Sequence, residues 1–248
     1  MQYMNSLSQI VIMNVYKREQ EGKYLKKLIE VSAKPLGIPV QISFDDGSLG
    51  VWKNYVQALT MGGGREGTHR IIIQDDVTFD RNILEKVNYI LEHAPEDRII
   101  CLYNPTNSDY LDCHKQGRHV LATDINFWLQ CTIYPNELMK DFVAKLDLYA
   151  KESRNEDDRL AAWLQLRKEK LFAVVPSLVQ HFGAFRSSLG TPGKVGQFIR
   201  NSQTYDNQFD VTKVDWEAEF ANPFEAKMRK DYTKVVMREE FFKEYGKW

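Results

Sequence analysis

The chain has 248 residues, with 33 basic against 34 acidic side chains and a formal net charge of −1. That length holds one large α/β domain or two small ones with a proper core, and 43% hydrophobic with 27% charged residues is an ordinary folded composition. The balanced charge excludes a strongly basic overall field, so any contact with nucleic acid would need a local patch, and no apolar run is long enough to cross a bilayer.

Strands and helices alternate from the start. Gln9 to Val15 is an apolar strand ending at Tyr16-Lys17-Arg18. Tyr24, Leu25, Leu28, Ile29 and Val31 then form a helical face with lysines opposite. Pro39 to Phe44 reads as a second strand, closed by Asp45-Asp46-Gly47, and Trp52, Tyr55, Val56 and Leu59 recur at helical spacing after it. A third strand, Ile71-Ile72-Ile73, is followed by a helix carrying Ile83, Leu84, Val87, Ile90 and Leu91. Arg98 to Tyr103 is a fourth strand. This order predicts a parallel sheet with right-handed crossovers.

The second half is less regular. Residues 104–117 are polar and turn-rich and read as a loop beside the site; 119–135 reads as a strand pair containing Trp128. A helix is expected over 136–151, a strand over 171–175, and a terminal helix over about 224–245. There is no internal repeat, low-complexity segment or clear linker. Cys101, Cys113 and Cys131 are odd in number and form no Cys-x-x-Cys, and the first residues lack the basic and apolar regions of a secretory signal. A reduced, cytoplasmic setting is the expectation. Cys113-His114 with His119 lacks the spacing of a standard zinc cluster.

The most informative stretch is Ile71 to Val77. A buried strand there ends in Gln74-Asp75-Asp76, and ligands in open α/β sheets bind beyond the carboxyl ends of the parallel strands. Adjacent carboxylates need a cation or a hydrogen-bond network to offset their repulsion. Two readings stand side by side: a divalent metal carrying a phosphorylated ligand, or a turn capped by Asp75 or Asp76. The glycines at 62–67 precede a strand and lack a following Gly-Lys-Ser/Thr, which argues against a phosphate loop.

Three features together resemble a GT-A glycosyltransferase: the strand ending in Gln74-Asp75-Asp76, the helix opened by Asn155-Glu156-Asp157-Asp158, and Pro176-Ser177-Leu178-Val179-Gln180-His181-Phe182-Gly183. With Arg186-Ser187-Ser188-Leu189-Gly190, the last segment is similar to compact bacterial and phage members and to the N-acetylglucosaminyltransferase IV group. The likeness spans about residues 9–190. Gln74 stands where the family usually has an acid. The resemblance implies a Rossmann-like, mainly parallel α/β sheet flanked by helices, as a catalytic domain over 1–200 with a helical or irregular extension over 201–248. That extension would be part of the same domain, a lid or an acceptor platform.

It also implies a nucleoside diphosphate sugar donor, a UDP-sugar first, with Mn²⁺ or Mg²⁺ bridging the diphosphate. Asp76 and His181 would be the metal ligands; His181 also reads as a satisfied histidine at a strand end. Gln74 or Asp75 would contact the ribose or order a metal-bound water. Arg18, Asp45 and Asp46 would contact the nucleotide, Asp45 accepting the imide N–H of uracil, although Asp45-Asp46-Gly47-Ser48 is equally a turn sequence. Arg186, Ser187 and Ser188 offer phosphate donors.

Ser153 and Glu156 have capping-box spacing, so the following carboxylates fall in a first helical turn, where the dipole favours the ionised form. The family's Glu-Asp-x-x-Leu pattern falls on Glu156-Asp157-Asp158-Arg159-Leu160, so the resemblance implies Asp157, then Asp158, as the base in an inverting displacement. Acidic decoration of a helix start is the other reading. For the acceptor, the resemblance to compact phage members implies hydroxymethylated bases in DNA first, and the basic and aromatic residues of 186–200 and 227–234 are the patches that would track its backbone; the near-neutral charge suits a saccharide, the second expectation. A nucleotidyltransferase would need a glycine-rich turn that residues 9–21 lack. A non-catalytic nucleotide-sugar-binding module is the remaining alternative.

Overall fold

The computed structural model describes residues 6–105, 107–125, 127–151, 155–181 and 202–239, backbone alone at 147–149. Their elements are β1 (Leu7–Val15), α1 (Glu19–Ala33), β2 (Val40–Asp45), α2 (Gly50–Thr60), β3 (His69–Gln74), β4 (Val77–Phe79), α3 (Ile83–His93), β5 (Ile100–Cys101) and α4 (Ser108–Lys115). Then come β6 (Val120–Thr123), β7 (Cys131–Pro135), α5 (Asn136–Tyr149), α6 (Glu156–Arg167), β8 (Leu171–Val174), β9 (Val179–His181), α7 (Trp216–Ala221), β10 (Phe224–Glu225) and α8 (Thr233–Val236).

Eight strands make one sheet in the order β10-β6-β8-β5-β7-β3-β1-β2. β1, β2, β3, β5 and β8 run one way, and β7, β6 and β10 the other. The expected mainly parallel α/β sheet flanked by helices is what forms. Its centre is apolar on both sides because both faces are covered: Ile71, Ile72 and Ile73 are essentially inaccessible. On one face α1 lays Leu25, Ile29 and Ala33 into the same core as all five apolar residues read for α3. On the other, Tyr55 and Leu59 of α2, Phe142 and Leu146 of α5 and Leu160 and Trp163 of α6 share a second core.

Five readings of the sequence change. On α1 the buried face is Leu25, Ile29 and Ala33, whereas Tyr24, Leu28 and Val31, read as part of it, are exposed because they lie off the side turned to the sheet. Residues 108–115 form α4, not loop, capped by Asn107, whose side chain accepts the N–H groups of Asp109 and Tyr110. Only Tyr110 and Cys113 anchor its apolar side, too few for a periodic signal. β6 and β7 do not pair with each other: β7 inserts between β3 and β5, and β6 joins β8 and β10. Partner choice was set by distant strands rather than by the short connection. In place of a long terminal helix, the described part of 224–239 holds the strand β10 and the single turn α8. Finally, β4 and β9, neither read as strands, form a small antiparallel sheet with Val77 opposite His181.

Candidate active site

β1, β2 and β3 end side by side: Met13 lies opposite Gln74 and Val15 opposite Asp45. Past this edge the chain gathers its buried charges. Asp75 Oδ2 accepts from Asn14 Nδ2 at 2.6 Å and from the Val15 N–H at 3.2 Å, while Oδ1 lies 2.6 Å from Arg18 Nη2. Asn14 Nδ2 also donates to the Arg18 carbonyl at 2.7 Å, fixing the turn that aims the guanidinium. Gly22 of α1 leaves the room for this: a Cβ there would lie 2.4 Å from Asn14 Cγ. Glycine inside a helix costs about 1 kcal/mol relative to alanine, so the cleared space has a structural use.

Arg18 also reaches Asp76, Nη1 to Oδ2 at 2.8 Å, and His181 Nε2 approaches the same oxygen at 3.3 Å. The β4–β9 pair makes this meeting, because Asp76 immediately precedes the residue paired with His181. Burial pushes the Asp75 carboxyl up to about 6 against the opposing charge of Arg18. Burial works the same way on Asp76, but contact with His181 and the Arg18 charge outweigh it, and its carboxyl is held below the usual range. Arg18 Nε, Asp76 Oδ1 and His181 Nδ1 are buried and have no hydrogen-bond partner among the described residues.

α6 begins at the same edge. Its cap is Asn155, whose Oδ1 accepts the Asp158 N–H at 3.0 Å; Ser153, expected in that role, lies outside the described residues. Asp157 Oδ1 accepts the Leu129 N–H at 3.0 Å. Glu156 turns inward, accepts from Gln74 Nε2 at 3.3 Å, and keeps a buried Oε2 with no partner among the described residues. Burial, against the bond from Gln74, pushes it up to about 7.

Arg18, Asp75, Asp76 and His181 are thus linked directly or through one shared partner, while Gln74, next to Asp75 in the chain, bonds to Glu156 at the start of α6. Asp45 stands apart in use. Oδ1 accepts the N–H groups of Gly47 and Leu49, and Oδ2 that of Gly50, at 2.8–3.0 Å. Gly47, at φ +104°, completes the turn. Asp46 is exposed and accepts the Ser48 N–H at 2.9 Å. Arg186, Ser187 and Ser188 lie outside the described residues. Sequence reasoning missed Asn14 and Glu156. Asn14 was signalled, as an amide interrupting the apolar run Ile10 to Val15; Glu156 is indistinguishable from its acidic neighbours until the helix phase is known.

The basic stretch from Lys227 sits elsewhere. Gln165 donates to the Lys230 carbonyl and accepts the Tyr232 N–H. Gln165 is nine residues along α6 from Glu156, about 13 Å at 1.5 Å per residue.

No known family profile and no curated protein matches this chain. Among solved structures it is similar to the crystal structure of S. aureus TarS 1–349, at 12% identity and a TM-score of 0.39 over 68% of this chain and 58% of that one. So slight a likeness carries no argument, and this chain spans less than two thirds of that structure.

Proposed function

We propose that the chain is a glycosyltransferase that moves a sugar from a nucleoside diphosphate donor, a UDP-sugar first, to a hydroxyl acceptor with inversion, using Mn²⁺ or Mg²⁺. One observation carries the reading: Asp76 and His181, far apart in sequence, present a carboxylate oxygen and an imidazole nitrogen 3.3 Å apart at the carboxyl edge of the sheet.

The residues fit a divalent ion. Two ligands about 2.1 Å from one ion and at right angles stand about 3 Å apart, close to the separation of His181 Nε2 from Asp76 Oδ2, an oxygen that Arg18 Nη1 shares at 2.8 Å; among the described residues Asp76 Oδ1 has no partner. Among the described residues no three His, Cys, Asp or Glu side chains form a metal cage. Held by Asp76 and His181, such an ion would neutralise charge on the leaving diphosphate. Arg18 keeps both aspartates in place, and Asp75 or Gln74 is the proposed contact to the ribose. Asp46, exposed, is better available to a base than Asp45, whose oxygens the turn occupies. Arg186, Ser187 and Ser188 are proposed donors to the phosphates.

Asp157, at the positive end of α6, takes the proton of the acceptor hydroxyl as that oxygen attacks the anomeric carbon; Asp158 is the second choice. Glu156 orients Gln74. A saccharide acceptor is favoured over a hydroxymethylated base in DNA, because the basic stretch beginning at Lys227 lies at the far end of α6.

The test is turnover of UDP-sugars with Mn²⁺, using saccharides and hydroxymethylcytosine DNA in separate arms. Asp76→Asn and His181→Ala should each lower turnover about a hundredfold and abolish the Mn²⁺-dependent rise in melting temperature. Asp157→Asn should lose transfer but keep that rise. Wild-type turnover in all three variants would end the proposal, and glycosylated DNA with untouched saccharides would reverse the acceptor preference.

A further inference from the structure

β2 closes the sheet on one side, and no described strand covers its outer edge. The bond from the Ile10 N–H to the Pro39 carbonyl, with Ile10 opposite Val40, fixes which groups face outward. In a parallel ladder of this register Gln41, Ser43 and Asp45 point their N–H and C=O toward β1, so those of Val40, Ile42 and Phe44 point away from it. Exposed edges are usually guarded by lysine, proline or a bulge. Residues 40–44, Val-Gln-Ile-Ser-Phe, contain none of these, and Phe44 is 37% exposed. Its side chain lies on the α1 face, since Val40 and Ile42 at alternate positions pack into the core that holds Leu25 and Ile29.

Above this edge runs a flank of α1. With Leu25, Ile29 and Ala33 against the sheet and a right-handed crossover, Glu19, Lys23, Lys26, Glu30 and Lys34 overhang the outer side of β2. Glu30 and Lys34 indeed line a groove with Pro39 and Val40 at the start of the strand. Within one chain, Glu19 pairs with Lys23 and Lys26 with Glu30. The order along the flank is acid, base, base, acid, base. Turned end for end about a point between residues 26 and 27, it sets Glu19 against Lys34 of the copy and Lys23 against Glu30, four opposite-charge pairs per dimer, with Lys26 beside its own counterpart at the centre.

We propose that two copies of this chain associate through β2, antiparallel about a two-fold axis at Ile42, joining both sheets into one. Ile42 meets its own copy, and Val40 meets Phe44 of the other chain, covering the exposed ring. Spacing agrees. Strands lie about 4.8 Å apart, so helices straddling β1 and β2 in the two chains come about 10 Å apart, a normal helix-packing distance. The self-complementary charge order is what selects a second copy over a foreign strand. The two candidate sites then open at opposite edges of the joined sheet, and the contact does not depend on the proposed chemistry.

Sedimentation of the full chain over a wide concentration range tests this. A dimer is expected, with its dissociation constant raised about tenfold or more by Ile42→Lys and by Phe44→Lys; the second substitution, at a half-open position, guards against misfolding of the first. Lys23→Glu or Glu30→Lys alone should weaken the dimer and the double exchange should restore it. Ile42→Cys should form an intermolecular disulfide on oxidation, whereas Glu217→Cys on α7 should not. A chain that stays monomeric throughout, or a dimer indifferent to Ile42→Lys and Phe44→Lys and not cross-linked at 42, overturns the proposal.

Discussion

Two strand ends of this protein carry the same motif and use it differently. β2 ends in Asp45-Asp46 and β3 runs into Asp75-Asp76. At β2 the Asp45 carboxylate is consumed by backbone N–H groups within five residues. At β3 the carboxylates are held by side chains from elsewhere, namely Asn14, Arg18 and His181, and one Asp76 oxygen has no partner among the described residues. An acidic pair satisfied by its own backbone is a turn. One satisfied by distant side chains is costly to bury, and such a cluster is where perturbed titration and ligand binding concentrate.

The sharpest way to break this contrast is Arg18→Ala. It leaves two buried aspartates without their cation, and removing one partner of a buried ion pair costs about 3–5 kcal/mol. Urea unfolding at neutral pH should show that loss. A loss below about 1 kcal/mol would mean the β3 end is as solvated as an ordinary surface pair.

Next comes Glu156→Gln, which sharpens the electrostatic side. Burial raises the folded carboxyl from 4.5 to about 7, so in that window the folded chain holds a proton that the unfolded chain has released. Stability therefore falls as pH rises from about 4.5 to about 7, and Asp75, raised to about 6, acts in the same direction. Glutamine can still accept from Gln74 but cannot ionise. The variant should gain on the order of 2 kcal/mol over wild type on going from pH 5 to pH 8, read from unfolding curves at both. Parallel curves for the two proteins would remove Glu156 from the charge cluster.

The smallest effect belongs to β2. Asp45→Ala should cost about 1–2 kcal/mol, the range for losing a capping carboxylate, and Asp46→Ala less than about 0.5 kcal/mol. Equal losses at both would show that the turn does not depend on the Asp45 bonds.

Most of the β1-to-β5 half was legible because its cues are local, the exceptions being β4 and the exposed Tyr24, Leu28 and Val31 of α1. Ile71 to Ile73, the α3 face and the Asp45 turn each announce themselves within a few residues. α4 was not legible, since Tyr110 and Cys113 alone mark its buried side, and the separate destinations of β6 and β7 were hidden because strand pairing is decided by partners far along the chain. The candidate site divides the same way. Asp76 stands out as an acid at a strand end, and His181 stood out through a resemblance of sequence. The 3.3 Å between them comes from the unforeseen β4–β9 pairing.

The sequence by itself determined the alternation of elements, the covered parallel sheet and the presence of carboxylates at its edge, because periodicity and turn chemistry act over one or two turns of chain. Only the tertiary structure decided which carboxylates are spoken for. Arg18 belongs to Asp75 and Asp76, Glu156 faces Gln74 and Asp45 serves its own loop, since burial and long-range pairing set the charge balance of a group and neither is written in its neighbours.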